Sequence, residues 1–85
     1  MTDRKENRFR LTGRLTVDEV PDVYREHLNW KQNGVPASID LSGIELSDSS
    51  AVALLLEWLS WARQAGDKVR FEDPPENLQT LAGLS

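Results

Sequence analysis

Ala51–Ala65 contains neither glycine nor proline and follows directly on Ser47-Asp48-Ser49-Ser50, a run in which every side chain can cap a helix. The first N–H groups of a helix lack partners inside it, and short side chains with an oxygen supply them. Gly66 closes the run where a left-handed residue commonly ends a helix. A long helix is therefore the element to which the rest of the chain must be fitted. Its apolar side is unusually wide. At about 100° per residue, Trp61, Leu54, Ala65, Trp58, Ala51, Ala62, Leu55, Leu59, Val52 and Leu56 sweep an arc of roughly 220°. One sheet face cannot cover so much. Leu55, Leu59, Val52 and Ala62 are expected to fill the sheet contact. The edge Leu54, Trp58 and Trp61 is then left either beneath a neighbouring helix or open as an apolar interface, where tryptophan is enriched.

The segments on either side alternate with the period of strands. Phe9 and Leu11 fall opposite Arg8, Arg10 and Thr12, which predicts a half-buried strand before a break at Gly13, with Gly13–Leu15 pairing back on it as a fourth strand. A helix follows. Thr16 with Glu19 forms a capping box, while Asp18 as N-cap places Pro21 within the first turn, where its missing N–H does little harm; the second start is preferred. Val20, Val23, Tyr24 and Leu28 form its stripe, and Lys31, Asn33 and Gly34 end it. Ala37–Leu41 reads as a strand entering a Ser42-Gly43 turn, with Ile44 and Leu46 continuing the apolar pattern. Val69 and Phe71 mark a third strand, Asp73-Pro74-Pro75 breaks it, and a terminal helix over Glu76–Leu84 carries Leu78, Leu81 and Leu84. Strand and helix thus alternate, which predicts a small α/β fold: a mostly parallel, short-stranded sheet packed with helices.

With 85 residues, 39% of them hydrophobic, there is material for one core and one domain. Residues 1–7 are expected to be a flexible amino-terminal segment, and residues 8–85 the domain. The longest apolar stretch, Ala51–Leu56, falls far short of the roughly 18–20 residues that cross a bilayer, and no apolar run follows the charged start, so neither a membrane span nor a signal peptide is expected. The absence of cysteine excludes disulfides, cysteine-ligated zinc, iron–sulfur clusters and a thiol nucleophile. A net charge of −4 argues against a nucleic-acid partner, because such binding draws on clustered Lys and Arg. The locally basic Arg4, Lys5, Arg8, Arg10 and Arg14 are diluted by Asp3 and Glu6 and read as a solvated terminus. His27, the only histidine, falls between Val23 and Trp30 in helical spacing, which suits a packed or half-exposed residue better than a metal ligand or a triad member. No glycine-rich phosphate loop and no paired acids stand out. The chain is expected to be no enzyme, and to need no metal or cofactor.

Ile39-Asp40-Leu41-Ser42-Gly43, a short loop, and then Asp48-Ser49-Ser50-Ala51-Val52-Ala53-Leu54-Leu55 resemble the signature of STAS domains. Leu11-Thr12-Gly13-Arg14-Leu15-Thr16, Val20-Pro21 and the ending Asn77-Leu78-Gln79-Thr80-Leu81-Ala82 are similar to the Mla-type branch of that family, the cytoplasmic STAS subunits of phospholipid ABC transporters that maintain outer-membrane lipid asymmetry. The resemblance implies a STAS-like fold. It also implies a docking role on the transporter's ATPase subunit, with the membrane reached only through that partner. Its docking site would be Ser47, Asp48, Ser49, Ser50 and Ala51. In the antagonist branch of the family, the matching position of Ser49 is the phosphoacceptor and the partner is an anti-sigma factor kinase. Ala51 stands where the family usually has Gly. A third expectation comes from the residues themselves: a self-associating module that pairs through Trp58 and Trp61.

Overall fold

A computed structural model describes residues 8–82. The chain runs β1 (Arg8–Leu15), α1 (Val20–Glu26), α2 (Trp30–Asn33), β2 (Ser38–Ser47), α3 (Ser49–Gln64), β3 (Arg70–Glu72) and α4 (Glu76–Ala82). The strands form one parallel sheet in the order β1-β2-β3, so each connection between neighbours is a helical crossover, as parallel pairing requires. The expected small α/β fold with a parallel sheet is what the chain adopts. The expected amino-terminal segment 1–7 and Leu84 lie outside the described residues.

The fourth strand is not formed among the described residues. Arg8–Leu15 is one strand, and Gly13, with φ of +85°, takes a backbone conformation there that side chains oppose. Nor do Ser42 and Gly43 make a turn. They belong to the unbroken strand β2, which carries one extra residue opposite Arg10–Thr12 and another opposite Gly13–Arg14. These two bulges keep the core face in phase: Ile39, Leu41, Ile44 and Ser47 are buried although their spacings are two, three and three. Gly43 has to be glycine for a second reason. A Cβ there would sit 2.8 Å from Thr12 Cγ2 and 2.9 Å from the Leu11 carbonyl oxygen on the neighbouring strand.

The first helix also departs from its expected course. Its start does not use Asp18: Glu19 stands at the N-cap after a turn closed by its N–H on the Thr16 carbonyl, and only the carboxylate half of the capping box forms, Glu19 accepting from the Thr16 N–H at 2.9 Å and the Thr16 hydroxyl at 2.5 Å. These bonds, the hydroxyl's first, hold the Glu19 carboxyl below its ordinary pKa, with help from Arg14. The helix then stops at Glu26. Tighter bonds take over, from Leu28 N–H to the Arg25 carbonyl and from Trp30 N–H to the His27 carbonyl. Leu28, expected on the buried stripe, is left exposed, and Trp30 turns into the core instead. Its ring packs 5.2 Å from Phe9 and 4.9 Å from Trp58, centroid to centroid. Burying an indole outweighs one more regular helical turn around Leu28.

A single core joins one face of the sheet to the helices. Leu11 and Leu15 from β1, Ile39, Leu41 and Ile44 from β2, and Leu78 from α4 surround the apolar side of α3. The alternate residues of β1, Arg8, Arg10, Thr12 and Arg14, are exposed. Across the sheet Arg8 lies 3.0 Å from Glu72 and 3.6 Å from Asp40, and Arg10 lies 3.5 Å from Asp40. The Asp40 carboxyl is held below its usual value, chiefly by the Ser42 N–H, next by the Ser42 side chain and then by these arginines.

Candidate functional site

Because β1 and β2 are parallel, both end at the same edge of the sheet, and α3 begins there. Asp48 is the hinge between strand and helix. Its backbone stays extended, one carboxylate oxygen accepts from the Ser50 N–H at 2.8 Å, and its carbonyl accepts from the Ala51 N–H at 3.0 Å. This is an N-cap as the sequence predicts. The other carboxylate oxygen accepts from the Val17 N–H at 3.0 Å, across 31 positions of sequence, and so fastens the loop after β1 to the start of α3. The Val17 N–H, ahead of Ser50 and Ala51, keeps the Asp48 carboxyl below its ordinary pKa despite partial desolvation.

The five residues singled out around this turn have different fates. Ser49 is exposed, Asp48 and Ser50 are half-buried, and Ser47 and Ala51 are buried, so the last two cannot themselves form a contact surface. The cause lies in the start of the helix: Ser47 still belongs to β2 and Ala51 already faces the core. The Ser47 carbonyl accepts from the Asn77 side-chain amide at 3.2 Å, which ties α4 to the end of β2. Among the described residues the Ser49 hydroxyl makes no hydrogen bond, although its two neighbours are engaged in the cap.

An open cleft of about 810 Å³ lies beside the turn, with Ser47, Asp48 and Ser49 on one wall and Glu76, Asn77, Thr80 and Leu81 of α4 on the other. Neither this cleft nor the Val17 and Asn77 attachments could be read from the sequence, since hydrogen bonds between residues 30 or 31 apart leave no periodic signal.

The apolar edge of α3 is covered in this fold. Leu54, Trp58 and Trp61 are 3%, 0% and 4% exposed, so they cannot serve as the open patch that their helical spacing allowed. The segment from α1 to α2 covers the two rings: Tyr24 lies 5.6 Å from Trp61, and His27 and Trp30 lie 5.8 and 4.9 Å from Trp58. His27 is half-buried among these rings, with Nδ1 2.8 Å from the Val23 carbonyl oxygen. Among the described residues no three His, Cys, Asp or Glu side chains converge as metal ligands, and no helix is long and apolar enough to cross a membrane.

Comparison with known proteins gives a consistent fold. A family model described as "Mlab, STAS domain" matches residues 1–85. The anti-sigma factor antagonist SpoIIAA in its unphosphorylated form superposes with a TM-score of 0.71 at 18% identity, over 100% of this chain and 79% of that one. A structure of Mglu superposes with a TM-score of 0.65 at 19% identity, over 89% of this chain but 20% of that one. No curated protein sequence matches at a significant level.

Proposed function

The chain belongs to the STAS-domain family, and from that premise we propose that it is a non-enzymatic docking subunit for the ATPase of a phospholipid-transporting ABC transporter. STAS domains are typically regulatory binding modules, and the matching family model is the one described as Mlab. The observation that carries the reading is the state of Ser49: an exposed side chain whose backbone is fixed by Asp48 on one side and by the first turn of α3 on the other. A surface held in this way loses little conformational entropy when it docks, so its contacts go into affinity. In this role the chain stays in the cytoplasm and reaches the inner membrane only through its partner. Copurification from native membranes tests it. An ATPase subunit recovered with the wild-type chain and lost with Ser49→Glu supports the proposal, and recovery of the same subunit with both refutes docking at this turn.

The likeness to an anti-sigma factor antagonist favours a second reading, in which Ser49 is a phosphoacceptor and the partner is an anti-sigma factor kinase. An exposed hydroxyl at a helix start suits that chemistry, because the helix N-terminus tolerates the roughly −1.5 to −2 charge of a phosphate. Mass spectrometry of the chain purified from its own cells separates the two: phosphate on Ser49 supports the antagonist, and its consistent absence favours the transporter subunit.

A further inference from the structure

The rim around Ser49 combines two kinds of surface. Val17, 62% exposed, sits on one side of the turn, fixed by its own N–H to Asp48, and Leu81, 46% exposed, sits on the other side in the wall of the cleft. Among the cleft residues the ionisable groups are Asp48 and Glu76, with no lysine or arginine; the exposed Asp18 follows Val17 in the chain, and Arg14 at the end of β1 is offset by Glu19 at 3.6 Å. The positive end of α3 offsets this charge by only about half a unit, against a full unit on each carboxylate. The turn therefore presents net negative charge between two apolar side chains.

Resting on docking at this turn, we infer that the partner's contact segment is a basic one, an arginine or lysine flanked by apolar side chains, which places its cation between Asp48 and Glu76 and its apolar groups on Val17 and Leu81. Complementary charge of this kind steers encounter and fixes register more than it adds affinity. An anionic lipid surface would be repelled by the same edge.

Titration of the isotopically labelled 85-residue chain with two short peptides, Leu-Arg-Leu-rich and Leu-Glu-Leu-rich, tests this by NMR. The arginine peptide is expected to shift Val17, Ser49, Thr80 and Leu81 at low salt and much less at about 0.15 M, where the Debye length is about 8 Å. Glu76→Gln should weaken its binding about two- to five-fold, the range for an exposed charge. Equal shifts with the glutamate peptide, or arginine-peptide shifts elsewhere or nowhere, overturn the inference. Such a result leaves docking at Ser49 standing, because that reading fails only if the Ser49→Glu chain still recovers its partner from membranes.

Discussion

Along α3 the middle turns and the first turn stand in opposite relations to the rest of the molecule. Leu54, Trp58 and Trp61 are buried, the two rings beneath Tyr24, His27 and Trp30, whereas Ser49 faces solvent with its hydroxyl making no hydrogen bond among the described residues. The apolar residues that looked most like a binding patch hold the domain together, and the exposed chemistry lies in a polar cap that folding alone could explain. Large rings close a small core because they can, and a partner is left with the groups that the core has not consumed.

The largest test of this contrast is Trp58→Ala. Trp58 is fully buried against His27 and Trp30, so its truncation should cost about 3–5 kcal/mol, a large part of the roughly 5–10 kcal/mol that a domain of this size has in total. Trp61→Ala should cost less but still well over 1 kcal/mol by urea unfolding, given its contact with Tyr24. If Trp61→Ala costs under about 1 kcal/mol, the edge is open and the contrast fails. Next in size is Gly43→Ala, whose new methyl would collide with Thr12 and the Leu11 carbonyl. A cost of about 1–3 kcal/mol is expected, and an unchanged unfolding midpoint would mean that the β1–β2 contact can spread apart.

Asp48 stands between the two regions, since it caps the helix and also carries the loop beside Ser49. Its carboxyl is held below its ordinary pKa, so the stability it contributes is complete above the unfolded-state value and is lost as the pH falls through the folded one. Asp48→Asn is therefore expected to lower the unfolding midpoint at neutral pH and to flatten the decline below about pH 4. Glu19 and Asp40 are depressed in the same direction, so part of the decline should remain. A variant with the wild-type acid profile would show that the Val17 attachment contributes nothing.

The elements that sequence reasoning placed well are those whose signal is local. The α3 cap, its Gly-free body and the order of strands follow from side chains near one another in the chain, and the helix starts at Ser49 with Asp48 as its cap. Bulges defeated the same reasoning in β2. Ser42-Gly43 imitates a turn, and Leu46, which alternates with Ile44 as if buried, is left exposed beside Glu45 by the second bulge, although the strand continues through both. The break after Glu26 was hidden for a different reason: Leu28 fits the stripe of a continuing helix, and only the presence of Phe9 and Trp58 in space makes Trp30 the better residue to bury. That same fold covers Trp58 and Trp61, which a helical wheel drawn for α3 alone cannot reveal. At the candidate site the turn itself was legible, but its exposure was not, because burial of Ser47 and Ala51 depends on β2 and the core.

The smallest expected effect on folding belongs to Ser49→Glu, and its smallness is what makes it informative. A carboxylate at the first residue of α3 gains from the positive helix end, an effect of about 0.3–1 kcal/mol for an exposed group. The adjacent Asp48 carboxylate opposes it, and no buried contact is lost, since the Ser49 hydroxyl makes no hydrogen bond among the described residues. The net change in unfolding free energy should lie within about 0.5 kcal/mol of wild type. Binding should respond quite differently, because the partner's cation is already matched by Asp48 and Glu76, so a further carboxylate at position 49 would be desolvated in the contact without a counterpart of its own, in addition to a larger side chain. Ser49→Ala separates these causes: it removes the hydroxyl without adding charge, so it should lose less binding than Ser49→Glu at equal stability. Measured side by side, a drop in partner affinity that far exceeds the change in unfolding midpoint would identify the first turn as contact surface. Losses of equal size in both would make Ser49 one more element of the cap, and the two regions of α3 would then differ in exposure without differing in role.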